Sequence, residues 1–360
     1  MSQAKVVVFG EVMMRLAAPS HRRFVQVTNF DVAYTGAEAN VAVSLQNFGL
    51  STCLVSRVPD NDIGQSCINF FRQYGINTEA VQRGGSRLGL FYLETGANQR
   101  ASKVVYDRAN SAITELRPGD IAWGEIFDGK HWLHLSGSAP ALSQSMADVT
   151  LEACRMAKEK GVTVSVDLNF RNKLWKWDPA YSSRELARKT MKEVLKHVDV
   201  IIGNEEDAFD VLGVRAGDTN VNAGHLDIDR YPQVAAEIKK RFPQLSHIAF
   251  TLRESVSASH NNWGAMLYEA DSETCHFAPT VDGRYKPYAI THIVDRVGGG
   301  DSFSGGLIYA LLQNMPASEA VAFAAAASCL KHSIPGDFNL ASVQDVMALV
   351  GGNASGRVQR

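Results

Sequence analysis

Cysteine is scarce and scattered in this chain. There are five in 360 residues, at positions 53, 67, 154, 275 and 329, an odd set with no CxxC pair. That pattern excludes a disulfide framework and a structural zinc site, and it fits a reducing compartment, so a cytoplasmic location is expected. An excess of charge of either sign is also missing. The 36 basic and 38 acidic residues leave a formal charge of −2, so neither a nucleic acid nor a membrane is expected as a partner. No apolar run has the length needed to cross a bilayer; the longest, Ala320–Ala327 and its neighbours, reads as a buried helix. Near the start, Glu11 soon interrupts the run that contains Val6–Val8, which cannot then act as the core of a signal peptide. The ten histidines form no HxxxH or HxH pair, and none is assigned to a metal. Two nucleotide motifs are absent as well. There is no GxxxxGK[ST], and the glycines near residue 300 fail the GxGxxG pattern because Phe303 stands where the third glycine is needed.

What the chain does have is 45% hydrophobic residues, enough for a large core, and a regular alternation of strand-like and helical runs. Strands are expected at Lys5–Phe9, Thr52–Arg57, His131–Leu135, Val162–Leu168, Val198–Ile202 and His247–Leu252. Helices are expected at Asn40–Phe48, Gly64–Tyr74, Ser143–Lys160, Ser183–His197 and Tyr231–Phe242, several of them stopped by glycine. This rhythm predicts a three-layer α/β/α architecture with a mainly parallel central sheet covered on both faces. Two regions break it. Phe24–Tyr34 alternates like a strand, and Leu88–Arg108 reads as a hairpin around Thr95–Asn98. Together they are expected to form a small β-sheet lid from about residues 12–35 and 86–110 on a single domain of residues 1–350. Gly213–Asp229 reads as a surface loop or insertion, and residues 351–360 as a tail. No repeats or low-complexity tracts occur.

The segment Asp295-Arg-Val-Gly-Gly-Gly-Asp301-Ser-Phe-Ser-Gly-Gly306 carries the most chemistry. Three glycines end in an acid, and Phe303, Leu307, Ile308, Leu311 and Leu312 follow at helical spacing. A glycine loop opening a helix aims free N–H groups and the positive end of a dipole at one point, which suits a phosphate. Asp301 stands at its mouth as a candidate base. Other polar clusters follow expected strands: Asp167-Leu-Asn169-Phe-Arg171, Gly203-Asn204-Glu-Glu-Asp207 and Arg253-Glu-Ser255. If the first of these is extended, Asp167, Asn169 and Arg171 project to one side. Strand ends always meet polar loops, so each cluster alone says little. Four such ends on one rim, with the Gly298–Asp301 loop as the fourth, favour an active site, because ligands of open parallel sheets bind beyond the carboxyl ends of the strands. Gly36 and Asn40, leading into a helix, serve either as an ordinary strand-to-helix turn or as a sugar contact. Tyr106 and Arg108 share a face of the expected lid hairpin. Arg108 is a solvated edge charge in isolation, and half of a carboxylate- or phosphate-binding pair if Arg171 lies opposite.

These motifs together resemble the ribokinase-like (PfkB) family of carbohydrate kinases over essentially the whole chain. The amino-terminal signature matches at Gly36 and Asn40, the DTxGAGD signature as Asp295–Asp301, and the Asn-x-x-Glu motif as Asn204-Glu-Glu-Asp207. Within the family, Gly89–Glu94, Tyr106–Arg108, Asp167–Arg171 followed by Lys-Leu-Trp175, and Thr251–Ser255 are most similar to the kinases of 2-keto-3-deoxygluconate. The resemblance implies MgATP as phosphoryl donor and Asp301 as the base toward a terminal primary hydroxyl. It implies that the N–H groups of Gly298, Gly299, Gly300 and Asp301 stabilise the moving phosphoryl group. It implies sugar contacts from Gly36, Asn40, Phe91, Tyr106, Arg108, Asp167, Asn169 and Arg171, with the two arginines on a carboxylate. Asn204 and Asp207 would act on magnesium through water, and Thr251, Arg253, Ser328 and His332 would lie near the nucleotide. Read on its own, His332 is an ordinary partly buried histidine. A homodimer or higher homo-oligomer is expected by the same analogy. Alternatives are a neutral-sugar kinase for fructose or ribose, a kinase of 2-keto-3-deoxygalactonate, and an inactive sugar-binding regulator. Three departures stand out. Arg296 replaces the usual Thr beside the place where many relatives bind a monovalent cation, and its guanidinium is a candidate substitute for that ion. Asp207 replaces Glu, and Phe91 stands where many ketodeoxygluconate kinases have Tyr.

Overall fold

The computed structural model describes residues 5–214 and 228–352. Most of the expected insertion, residues 215–227, and residues 353–360 of the expected tail lie outside the described residues. In chain order the strands that build the two main sheets are β1 (Lys5–Phe9), β2 (Met13–Ala17), β3 (Asp31–Thr35), β4 (Ser51–Val58), β5 (Val81–Arg83), β6 (Gly89–Glu94), β7 (Lys103–Asp107), β8 (Trp132–Ser136), β9 (Thr163–Asp167), β10 (Val200–Gly203), β11 (His247–Ser257), β12 (His260–Glu269) and β13 (Thr274–Ala278).

The central sheet runs β13-β12-β11-β10-β9-β8-β1-β4-β5, with Tyr288–Ile290 added against β12. From β11 to β5 every pairing is parallel. The pleat explains why both faces are covered. Val7 and Phe9 join one hydrophobic cluster, with the Gln144–Glu159, Ser183–Leu195 and Tyr231–Arg241 helices. Val6 and Val8 join the other, with the Ala37–Asn47, Gly299–Leu312 and Ala317–Lys331 helices. The chain leaves β1 toward β4 and later returns to β8 on β1's other side, so the strand order reverses between β1 and β8. That reversal opens a crevice at the carboxyl end of the sheet. A second sheet of order β3-β2-β6-β7 stands apart, with β2 and β6 parallel and its two outer pairings antiparallel.

Three expectations are corrected. The stretch Phe24–Tyr34 is a strand only from Asp31; Phe24–Gln26 forms a single 3₁₀ turn, Phe24 donating its N–H to the buried Glu94. The strand expected to end at Leu252 runs on to Ser257, so Arg253, Glu254 and Ser255 lie within β11 rather than in a loop after it. It turns back as β12 and β13, an antiparallel extension that the polar sequence His260-Asn-Asn262 concealed. The helix expected from Asn40 begins three residues earlier, at Ala37.

Burial predicts a sharp contrast in stability. Leu307 is wholly buried between the layers, whereas Ile63, in the Asp62–Arg72 helix, is 46% exposed. Leu307→Ala should cost about 2–5 kcal/mol, and Ile63→Ala at most about 0.5 kcal/mol. Urea unfolding of both variants checks this; equal midpoints would contradict the layer assignment.

Candidate active site

A cavity of about 740 Å³ opens at the carboxyl end of the central sheet, beneath the four-stranded sheet. It collects the polar residues that follow β1, β8, β9 and β10, the outer half of β11, and the glycine loop. Gly298 explains how the loop is shaped. It has φ +81°, and a Cβ there would sit on the carbonyl of Asp337. Behind it the Gly299–Leu312 helix starts, and the N–H groups of its first turn, including those of Gly300 and Asp301, have no acceptor within the helix. Such an arrangement of donors suits an anion.

Asp301 lies in that first turn. Its Oδ2 accepts a hydrogen bond of 2.6 Å from Asn40 Nδ2. Asn40 is itself fixed, since its Oδ1 accepts from Thr35 Oγ1 at 2.9 Å and from Gly36 N at 3.5 Å. Burial pushes the Asp301 carboxyl up to about 6; the Asn40 hydrogen bond opposes this, Asp337 adds to it, and Arg171 and Lys331 pull the other way. In this structure Asn40 therefore holds the Asp301 carboxyl, rather than being left wholly free for a ligand. Gly36 lines the cavity, but it also answers a packing demand, because a Cβ would meet the Glu11 carbonyl at 2.3 Å.

Asp167, Asn169 and Arg171 all face the cavity. They do so through a turn and not as an extended run, with Asn169 at φ +38° and its N–H bonded to Asp167 Oδ1 at 3.1 Å. Asn204 and Asp207 cap one another across the first turn of a short helix: Asp207 N donates to Asn204 Oδ1 at 2.8 Å, and Asn204 N to Asp207 Oδ2 at 3.3 Å. Phe170 N donates to Asp207 Oδ1 at 2.9 Å, tying this turn to the segment after β9. Phe91 and Tyr106 are direct partners across β6 and β7, their rings 6.1 Å apart, and both line the cavity. Tyr92 faces the other way and meets Phe30. Thr251 and Arg253 line the wall made by β11.

Two further expectations about site residues change. Arg108 does not offer a free guanidinium alongside Arg171. It is buried in an ion pair with Glu11, Nε to Oε2 at 2.6 Å. Arg171 is exposed and has no ion-pair partner among the described residues. Ser328 and His332 do not line the cavity. They buttress the loop from behind, Ser328 Oγ donating to Gly299 O at 2.6 Å and the His332 ring packing against Gly299 and Trp263. Sequence reasoning missed Glu11, Arg15, Lys331 and Asp337. Glu11 had the signal used elsewhere, a polar residue just beyond a strand; the other three had none.

Comparison with known proteins agrees with this geometry. Residues 3–339 match the pfkB family carbohydrate kinase pattern. The chain belongs to that family. A crystal structure of 2-dehydro-3-deoxygluconokinase from Thermotoga maritima superposes with a TM-score of 0.88 at 43% identity, covering 97% of this chain and all of that one. A 2-dehydro-3-deoxygalactonokinase from Haloferax volcanii is 30% identical over 98% of both chains. A 5-dehydro-2-deoxygluconokinase from Geobacillus thermodenitrificans is 28% identical over 86% of this chain and 81% of its own. The protein is thus a carbohydrate kinase, a phosphotransferase with an alcohol as acceptor, on the ribokinase-like fold.

The residues present fit a nucleotide bound with magnesium. Asp167, buried, is pushed well above the usual carboxylate range, first by burial and then by the charges of Asp207 and Asp301. Carboxyl groups buried near one another in this way suit a site that takes a cation. Among the described residues no three acidic, histidine or cysteine side chains converge on one ion. Magnesium, which keeps most of its waters and shares phosphate oxygens, would be met by Asn204 and Asp207 through water. When bound, it would neutralise charge on the phosphates.

For this carbohydrate kinase, kcat/KM should rise as pH climbs through about 6, the value for Asp301, because only the ionised carboxylate takes a proton. Asp301→Asn should lose about 10²–10⁴-fold in kcat and keep sugar affinity. A pH–rate profile and equilibrium sugar binding measure both; undiminished turnover in Asp301→Asn would remove the base from the assignment.

Proposed function

We propose that this kinase transfers the γ-phosphoryl group of MgATP to the terminal primary hydroxyl of 2-keto-3-deoxygluconate, giving the 6-phosphate. The observation that carries the reading is Arg171. It is a cation without an ion-pair partner among the described residues, on the cavity wall, and it acts electrostatically on Asp301, Asp167 and Asp207. A guanidinium so placed suits the carboxylate of an acid sugar, which fructose and ribose lack. The reading is supported by 43% identity over nearly the full length to the Thermotoga 2-dehydro-3-deoxygluconokinase. Asp301 would take the hydroxyl proton, and the N–H groups of the glycine loop would meet the charge of the transferring group. Thr251 and Arg253 would face the nucleotide.

The Haloferax relative favours a second reading, in which the substrate is the galactonate-derived keto acid that differs at one hydroxyl. We place the enzyme in the cytoplasm, with no nucleic acid or membrane partner, and as a homodimer joined through the outer face of the four-stranded sheet. Val32 and Val105 are 57% and 52% exposed there.

An ADP-release assay comparing both keto acids with fructose and ribose tests the substrate. The gluconate-derived acid should lead, and Arg171→Ala should raise the KM for it by about tenfold or more while leaving any neutral-sugar turnover nearly unchanged. Equal losses on acid and neutral sugars would argue against carboxylate recognition.

A further inference from the structure

Lys331 ends the Ala317–Lys331 helix and is wholly buried. A lysine in that position is rare unless its charge is compensated. Its Nζ donates to two main-chain carbonyls, Asp295 O and Ile334 O, each at 3.1 Å. It makes no ion pair within salt-bridge distance among the described residues, yet the carboxylates of Asp295, Asp337 and Asp301 all act on it, as does the Arg15 cation. Around it Arg15 and Lys331 supply two positive charges and Asp295 and Asp337 two negative ones. Asp295 is fully used: its Oδ2 accepts from Arg15 Nη2 at 2.8 Å and Gly336 N at 3.2 Å, and its Oδ1 from Val297 N at 3.0 Å. Asp337 Oδ2 is buried without a partner.

The place of this ammonium matters more than its burial. Asp295 opens the segment that becomes the anion hole, and Asp337 presses its carbonyl on Gly298 within that segment. Ser328, one turn before Lys331 on the same helix, holds Gly299 O. A buried monovalent charge caged by main-chain carbonyls and flanked by carboxylates is the coordination that a dehydrated alkali or ammonium ion takes. Here the chain supplies the ion covalently. Arg296 does a different job, as its Nη2 donates to Ser257 O at 3.0 Å and Ala258 O at 2.6 Å, in the turn between β11 and β12. The expectation that Arg296 takes the place of a cation beside Asp295 is thereby redirected to another residue.

We propose that Lys331 is a positioning residue that acts as a built-in monovalent cation behind the phosphoryl-binding loop. It fixes the Asp295 and Ile334 carbonyls and adds positive charge behind the anion hole, so that the enzyme needs no potassium or ammonium ion. This rests on the kinase reading of the same cavity.

The test compares wild-type enzyme, Lys331→Ala and Lys331→Met in choline, sodium, potassium and ammonium chlorides at one ionic strength. Wild-type turnover should be the same in all four salts. In choline, Lys331→Ala should lose about ten- to a hundredfold in kcat with little change in sugar KM. Potassium or ammonium should restore much of that loss, whereas Lys331→Met, whose side chain fills the space, should be impaired without rescue. The melting temperature of Lys331→Ala should rise in potassium or ammonium relative to choline, and that of the wild type should not. Strong activation of the wild type by potassium would overturn the proposal. So would a folded Lys331→Ala that is fully active in choline, or impaired and indifferent to every ion. If neither variant folds, the salt response of the wild type decides. The melting comparison needs no sugar, so a protein that turns over none of the sugars tested would count against the substrate assignment and leave the role of Lys331 to be judged separately.

Discussion

Arg15 holds the active site in one frame. Its guanidinium sits between two buried carboxylates, Asp295 and Asp337, and is itself buried. Each of the three ions is tolerable in the interior only because the others are there; removing one partner from such a group leaves an uncompensated charge. The three come from different places. Arg15 lies on β2 of the separate sheet, Asp295 enters the glycine loop, and Asp337 belongs to the segment whose carbonyl shapes Gly298. β2 also pairs with β6, which carries Phe91, and β6 with β7, which carries Tyr106. The surface that would cover a sugar and the loop that would hold a phosphoryl group are thus referenced to one buried cation.

The rest of the cavity's electrostatics follows from crowding acids where water is scarce. Asp167, Asp207, Asp301 and Asp337 are all pushed upward from the ordinary carboxylate range, burial being the first cause in each case. Glu38, buried behind Asp301 and held by Ser136 N and Oγ, is pushed up to about 7. A carboxylate near 6 would be well placed for proton transfer around neutrality, as the proposed role of Asp301 requires. Arg171 and Lys331 oppose that upward push at Asp301.

The alternating architecture was legible because parallel strands buried on both faces read as apolar runs and glycine stops the helices between them. The lid was legible as a break in that rhythm. β12 and β13 were not, because β11 runs beyond the core and its outer half carries Arg253 and Glu254, residues that look like loop when burial no longer enforces alternation. In the site, acids and amides at strand ends could be read one by one. Their partners could not. Arg108 looked like a free lid charge because Glu11, its counter-ion, is 97 residues away. Lys331 and Asp337 carried no local signal: Lys331 is held by the distant Asp295 carbonyl and Asp337 by Arg15. Asn40 was read as a ligand contact, and its bond to Asp301 spans 261 residues. Local pattern encodes periodicity and burial, whereas charge pairing across the fold has no local signature.

The contact between Arg15 and Asp337 joins residues 322 apart in sequence. Contacts of such span close a very long loop, so their entropic cost is met late and only when much of the chain is already ordered. A nascent chain emerging from its amino end could build the strands around β1 and β4 early, but its Arg15 would stay without one of its two counter-ions until Asp337 had been made. The glycine loop would therefore be among the last parts to acquire its final shape, and a correctly formed cavity would report that Arg15 and Asp337 had come together.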